Sequence, residues 1–325
     1  MLFIMPNKPG ECTRQYTNIH NSVLLVIFAD ICIMHKAGFV NIIGSPNVGK
    51  STLMNALVGE KLSIITRKAQ TTRHRIMGII NGEDFQIVYS DTPGIIKPHY
   101  KLHEAMMTQV AAALSDADII LYMVEAGEKI SEQTDIIGQI NKTDIPILLL
   151  INKIDTTDAA VVDSCEQIWA AQFKNAKVFR ISALQKINIQ QVFDAVLALL
   201  PESPPYYSKD DLTDKPVRFF VSEIIREKVL LLYSKEVPYS VEVFIESFKE
   251  EPDIVRIAAT LYVARETQKA IILGHKGTGI KRLGIEARKD IEHFVGNKVF
   301  LDLTVKVNEN WRDNAAMLQR FGYEL

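Results

Sequence analysis

Four short stretches of this 325-residue chain carry side chains at spacings that could do chemistry on a nucleotide. Gly44-Ser45-Pro46-Asn47-Val48-Gly49-Lys50-Ser51 fits G-x-x-x-x-G-K-[ST], a loop whose glycines let backbone N–H groups close on phosphate oxygens. Lys50 then reaches the β- and γ-phosphates, the Ser51 hydroxyl takes one position on Mg²⁺, and Thr52 opens the helix behind the loop. In Asp91-Thr92-Pro93-Gly94 the acid can hold Mg²⁺ through water, while the Gly94 amide can touch the γ-phosphate and let go after hydrolysis. Asn152-Lys153-Ile154-Asp155 supplies the reader of the base. The Asp155 carboxylate accepts two hydrogen bonds from guanine N1–H and N2–H₂, which adenine does not offer; the Lys153 stem lies along the ring, and Asn152 ties this loop to the phosphate loop. Ser182-Ala183 places backbone amides at the guanine O6.

These groups need a sheet to aim them. Apolar runs at 38–43, 84–91, 146–151 and 177–181 read as strands, each ending at one of the four stretches, where ligands of open α/β sheets bind. Helices are expected at 52–58 and 189–200. The arrangement is that of an α/β phosphate-loop domain specific for guanine.

Beyond residue 200 the pattern changes. Residues 201–216, with Pro201, Pro204 and Pro205, read as an extended linker. There follow a helix at about 219–232, alternating strands at 239–248 and 255–264, helices around Gly274-His275-Lys276-Gly277, a strand at 298–307 and a last helix from 310. No second phosphate loop occurs. With 16 glycines in the chain, one G-x-x-G is expected by chance, so its weight comes from the apolar run before it, Ile-Lys-x-Leu-Gly after it, and the element order.

Composition narrows the remaining choices. An apolar share of 47% and a charged share of 23% describe a globular chain, and its length suits two domains. The net charge of −2 provides no global basic field, so any nucleic-acid site must be local. Between Arg256 and Lys289, eight basic side chains face only Glu266 and Glu286, an excess sufficient for several phosphate contacts. Cys12, Cys32 and Cys165 are too few and too scattered for a disulfide framework or a zinc site, which points to a reducing, cytoplasmic compartment. The apolar run 23–34 is too short to span a bilayer and contains Asp30. Residues 1–33 are expected to be an extension upstream of a functional start at Met34.

The motifs at 44–55, 67–75, 91–94, 152–155 and 182–183 resemble the five nucleotide motifs of Ras-like bacterial GTPases, and more closely those of the Era family. Residues 271–284, with the surrounding order helix–strand–strand–helix–helix–strand, look like a type II KH domain, whose G-x-x-G loop clamps single-stranded RNA. The resemblance implies a Ras-like GTPase domain over 34–200 and a KH domain over 217–325. It implies that Thr72 is the switch residue that joins Mg²⁺ beside Ser51 and Asp91, with Thr71 the competing choice. It implies RNA contacts from Gly274, His275, Lys276, Gly277, Lys281 and Arg282. Ile95 follows Gly94 where Ras has a glutamine that orients water, so hydrolysis must draw on other groups. Asn47 matches an asparagine with which related GTPases hold K⁺ beside the phosphates. Binding of the 3′ end of small-subunit ribosomal RNA, a role in assembly of the 30S subunit, a monomeric state and peripheral contact with the inner membrane are all implied. The competing reading is a peripheral membrane signalling GTPase whose C-terminal domain binds protein.

Overall fold

A computed structural model describes residues 35–66, 68, 70–130 and 134–324. The expected extension 1–33, its apolar run and Met34, and Arg67 and Ala69 of the 67–75 motif, lie outside the described residues. The first half contains β1 (Lys36–Gly44), α1 (Lys50–Val58), β2 (Ile76–Asn81), β3 (Phe85–Asp91), α2 (Lys101–Ser115), β4 (Ile119–Glu125), α3 (Thr134–Ile140), β5 (Ile147–Asn152), α4 (Ala159–Ala170), β6 (Lys177–Arg180) and α5 (Ile189–Leu199). Its sheet runs β2-β3-β1-β4-β5-β6, with only β2 antiparallel to its neighbour. Alternate residues of β1 serve opposite faces. Val40 and Ile42 pack with Leu53 and Val192 on the α1–α5 side, and Ile43 packs with Val110 and Trp169 on the other. Burial on both faces is why these strands read as near-continuous apolar runs.

The second half contains α6 (Val217–Leu232), β7 (Glu242–Glu251), β8 (Ile254–Val263), α7 (Glu266–Leu273), α8 (Thr278–Val295), β9 (Val299–Val307) and α9 (Ala315–Arg320). β7 and β8 pair antiparallel and β8 and β9 parallel, and α6, α7 and α8 cover one face of the sheet. Two boundaries differ from the sequence expectation. Pro238–Ser240 form a 3₁₀ turn rather than the start of a strand, since proline pre-sets a turn and donates no ladder hydrogen bond. The last helix starts at Ala315, not 310: Asn310 is left-handed (φ +58°) ahead of a 3₁₀ turn, and the Asn314 side chain caps α9 by accepting from the Met317 amide.

The linker is extended, as its prolines require, but it is not a free tether. The Ile79 amide donates to Leu212 O, the Met77 amide to the Asp214 carboxylate, and Gln86 bonds the backbone of Tyr206 and Tyr207. β2 is an edge strand, and the linker satisfies backbone groups that the edge would otherwise leave to solvent. The two halves also meet directly. Phe220 at the start of α6 sits in the core of the first half while Val221, Ile225 and Val229 sit in that of the second. Leu102 and Met106 of α2 pack on Trp311, Leu318 and Tyr323.

Candidate nucleotide and nucleic-acid sites

Strand β1 lies between β3 and β4 at the centre of the sheet, so the loop 44–51 leaves it at a topological switch point, the crevice where such sheets bind ligands. Gly49 has φ +109°, and a Cβ there would stand 2.3 Å from Asn152 Nδ2, so both backbone and space demand glycine. Asn47, also left-handed at φ +65°, is exposed at the tip. Lys50 is buried; its Nζ donates to Gly44 O at 3.0 Å and Ser45 O at 2.7 Å. Burial pushes its ammonium down to about 8, against the pull of Asp91 and Glu128.

Three oxygens from three separate elements converge beside it. Ser51 Oγ at the start of α1 donates to Asp91 Oδ2 at 2.6 Å and lies 2.9 Å from Thr72 Oγ1, which itself lies 3.3 Å from Asp91 Oδ2. Asp91 is fully buried at the end of β3, and its Oδ1 has no hydrogen-bond partner among the described residues. Burial raises the carboxyl above its ordinary range, with Ser51 and Lys50 drawing it down. Two hydroxyls and a carboxylate oxygen lacking a protein donor make a hard, oxygen-only set, which fits Mg²⁺ sharing its shell with phosphate and water. Thr71 is turned away: its hydroxyl donates to Lys68 O and pairs with Thr66. Of the two threonines, it is Thr72 whose hydroxyl stands beside Ser51 and Asp91.

Thr92 ties the next turn down by donating to Ile42 O, Pro93 follows, and the Ile95 amide donates to Gly44 O, which brings Gly94 against Pro46. The Ile95 side chain is buried in the core with Ile43 and Val110, so it cannot face the phosphates. At the other end of the crevice Asn152 is a bridge. Its Nδ2 donates to Val48 O at 2.7 Å, and its Oδ1 accepts from the Ala183 amide at 2.9 Å, joining all three loops. Lys153 is left-handed (φ +65°) and its Nζ pairs with Glu125 at 2.6 Å. Asp155 is exposed, its carboxylate free to accept from a base edge. Ser182 accepts from the Gln185 amide and holds the 182–187 turn closed.

In the second half, Gly274 and Gly277 take positive φ (+69° and +78°) between α7 and α8, with Lys276 left-handed between them. His275, Lys276, Lys281 and Arg282 are all exposed around the N-terminus of α8, a place that favours anions, and Ile271 and Ile285 stand exposed on the two helices beside them. The basic run in the sequence is not one patch in space. Arg256 pairs in register with Phe300, beside the end of α8 remote from the G-x-x-G loop, and is bonded to Glu251, while Arg288 faces Glu292 and Lys269 faces Glu266. Lys276, Lys281 and Arg282 are the members of the run that stand at the G-x-x-G loop and the start of α8.

Sequence reasoning missed the charged seam between the halves. Arg73, buried to 1%, donates to Val241 O (2.8 Å), Tyr239 O (3.1 Å) and Glu242 Oε2 (2.8 Å). Arg226 of α6, also 1% exposed, is paired with Glu223 and donates to Thr71 O. Burial opposes ionisation of Glu223, yet the adjoining guanidinium outweighs it and holds the carboxyl below its ordinary range. One sequence signal was available: Glu223, Arg226 and Glu227 share a face of an otherwise apolar helix.

A sequence profile described as "50S ribosome-binding GTPase" matches residues 39–153, and a KH-domain profile matches residues 236–312. GTPase Era of Thermoanaerobacter sp. (strain X514) is 42% identical over 294 residues, spanning 90% of this chain and 97% of the relative. GTPase Era of Geotalea uraniireducens (strain Rf4) is 44% identical over 291 residues, 89% of this chain and 98% of its own. A crystal structure of Era with MgGDPNP and nucleotides 1506–1542 of 16S ribosomal RNA superposes with a TM-score of 0.83 at 38% identity, covering 90% of this chain and all of that one. An Aquifex aeolicus Era variant bound to GDP·AlF₄⁻ gives the same TM-score and identity, over 89% of this chain. Fold and site define a Ras-like phosphate-loop GTPase with a C-terminal KH domain. By its relatives, the chain belongs to the Era family of GTPases.

Proposed function

We propose that this chain binds GTP through residues 44–52, 91–94, 152–155 and 182–183, hydrolyses it, and binds the 3′ end of small-subunit ribosomal RNA through its G-x-x-G loop in assembly of the 30S subunit. The observation that carries the nucleotide half is the convergence of Ser51, Thr72 and Asp91 beside Lys50. The RNA half is supported by exposed Lys276, Lys281 and Arg282 around two positive-φ glycines, and by the solved Era complex with 16S ribosomal RNA.

Lys50 exchanges the carbonyls of Gly44 and Ser45 for phosphate oxygens, and the amides of 45–51 cradle the same groups. Mg²⁺, when bound, neutralises charge developing on the phosphate oxygens. Ser51 and Thr72 would hold it by their hydroxyls and Asp91 through water. Gly94 presents its amide to the terminal phosphate. Because Ile95 is buried, no side chain at that position orients water; Asn47 at the exposed tip would hold K⁺, which would supply the missing positive charge. Equal hydrolysis rates in Na⁺ and K⁺ at matched ionic strength would remove that role.

Cytoplasmic residence, a monomeric state and peripheral contact with the inner membrane complete the proposal; no described helix is long and apolar enough to cross a membrane. The deciding experiment is crosslinking of the full chain to small subunits with a non-hydrolysable GTP analogue. Crosslinks from the 274–282 region to the 3′ end of the small-subunit RNA are expected. Crosslinks elsewhere, or only to protein, would overturn the RNA assignment and leave the GTPase assignment to be judged by phosphate release.

A further inference from the structure

Thr72 is held in place by the half of the chain that does not bind the nucleotide. Its hydroxyl lies with Ser51 and Asp91, but the residues on both sides of it are gripped from beyond residue 216. Thr71 O accepts from Arg226; the Arg73 guanidinium is seated on Val241 O, Tyr239 O and Glu242; His74 stacks on Tyr323 with ring centroids 4.2 Å apart. The grip ends at the next residue, since Arg75 turns back to Asp116 and Ser90 of the first half. On the incoming side, Lys61 pairs with Glu227 at 2.7 Å, and Lys68 Nζ donates to Leu230 O and Tyr233 O. Positions 223, 226, 227 and 230 recur at i, i+3, i+4 and i+7, so one stripe of α6 meets Lys61, Lys68 and Thr71.

The chemistry of this seam is costly for a mere adhesive. Two guanidinium and two carboxylate groups are withdrawn from water, and Arg73 Nε and Arg226 Nη1 are buried with no acceptor. Apolar pairs of the same volume would hold two domains together as well or better, whereas charged forks define a single geometry for the backbone they grip. That backbone is the one carrying Thr72.

Building on the GTPase assignment, we propose that Arg226 and Arg73, locked by Glu223 and Glu242, are positioning residues for GTP hydrolysis: the KH half completes the nucleotide site by fixing Thr72 toward the metal. The two guanidinium groups bond the Thr71 carbonyl and groups beyond residue 216 rather than Lys50, Ser51 or Asp91, so they act through the backbone of 71–73. GDP binding, which rests on 44–52, 152–155 and 182–183, should not need them.

The test is a kinetic cycle on the full chain. Arg226→Lys keeps the charge but loses the fork that spans Glu223 and Thr71 O, and Glu223→Gln keeps the volume but loosens the guanidinium; the pair guards against one of them failing to fold. Each is expected to lower single-turnover hydrolysis at least tenfold and to raise the Mg²⁺ concentration needed for half-maximal rate, with the affinity for fluorescent GDP changed less than twofold. In a Thr72→Ala background the same substitutions should cost nothing further. Losses that multiply with that of Thr72→Ala, or GDP affinity falling in step with the rate, would overturn the positioning role. A Thr72→Ala chain that hydrolyses GTP at the parental rate would instead overturn the metal-site reading beneath it.

Discussion

Replacing Asn152 by alanine removes both ends of the bridge that joins the phosphate loop, the base-reading loop and the 182–187 turn. The side chain is 2% exposed, and water has no ready path to the two groups it satisfies, Val48 O at 2.7 Å and the Ala183 amide at 2.9 Å. A buried polar group left without a partner costs about 1–3 kcal/mol. Two such groups put the loss at about 2–6 kcal/mol, shared between folding stability and the work of re-ordering the loops when nucleotide binds. Even about 2 kcal/mol in binding raises Kd roughly 30-fold. Titration with a fluorescent GDP analogue, paired with urea denaturation, separates the two shares. Asn152→Asp sharpens the test: it retains an acceptor for the Ala183 amide but sets a carboxylate against Val48 O, so it should bind no better than the alanine variant. A Kd within threefold of the parent together with an unchanged denaturation midpoint would refute the bridge as the organiser of this site.

Other consequences are as direct. Asp155→Asn should leave the denaturation midpoint unchanged, since the side chain is exposed, while moving nucleotide preference from GTP toward XTP in a competition assay. Gly94→Ala would bring a Cβ to 2.7 Å from Pro46 N and Cα, backbone atoms that cannot yield cheaply; single-turnover hydrolysis should drop more than tenfold with GDP affinity retained. Replacing Lys276, Lys281 and Arg282 together by alanine should flatten the dependence of log K for single-stranded RNA on log salt by about 2, at about 0.7 per phosphate contact. Burial holds His103 of α2 down at about 4, with His99, Arg73 and Arg312 acting in the same direction. The unfolded chain therefore takes up this proton first, and the contribution of neutral His103 is full above about pH 6.5 and is lost as pH falls toward 4. Stability should decline by at most about 1.4 kcal/mol per pH unit across that window, and His103→Phe should reduce the slope, read from urea midpoints at each pH.

The nucleotide site was legible because its parts are local. A G-x-x-x-x-G-K-S loop specifies its own backbone through left-handed glycines, and an apolar run buried on both faces announces the strand that carries it. The same holds for Asn152-Lys153-Ile154-Asp155 and for the G-x-x-G turn, in which the residues that set the conformation are the ones proposed to bind. β2, α2, β4, α3 and α4 carry no motif, so only the sheet order assigns them their places. The basic run from Arg256 to Lys289 misled for a related reason: β8, α7 and α8 carry its members to different ends of the domain and pair several with acids.

By itself the sequence determined the class of chemistry, the base that is read and the KH signature, since each rests on residues a few positions apart whose backbone geometry is encoded where they stand. Only the tertiary structure decided that the hydroxyl of Thr72 rather than that of Thr71 stands beside Ser51 and Asp91, that the linker lies along an edge strand, and that Arg73 and Arg226 are buried in the seam. Thr71 and Arg226 are 155 positions apart, and Arg73 and Glu242 are 169. An arginine bound for the interior has the same local signature as one bound for water; what distinguishes them is the partner that folding brings.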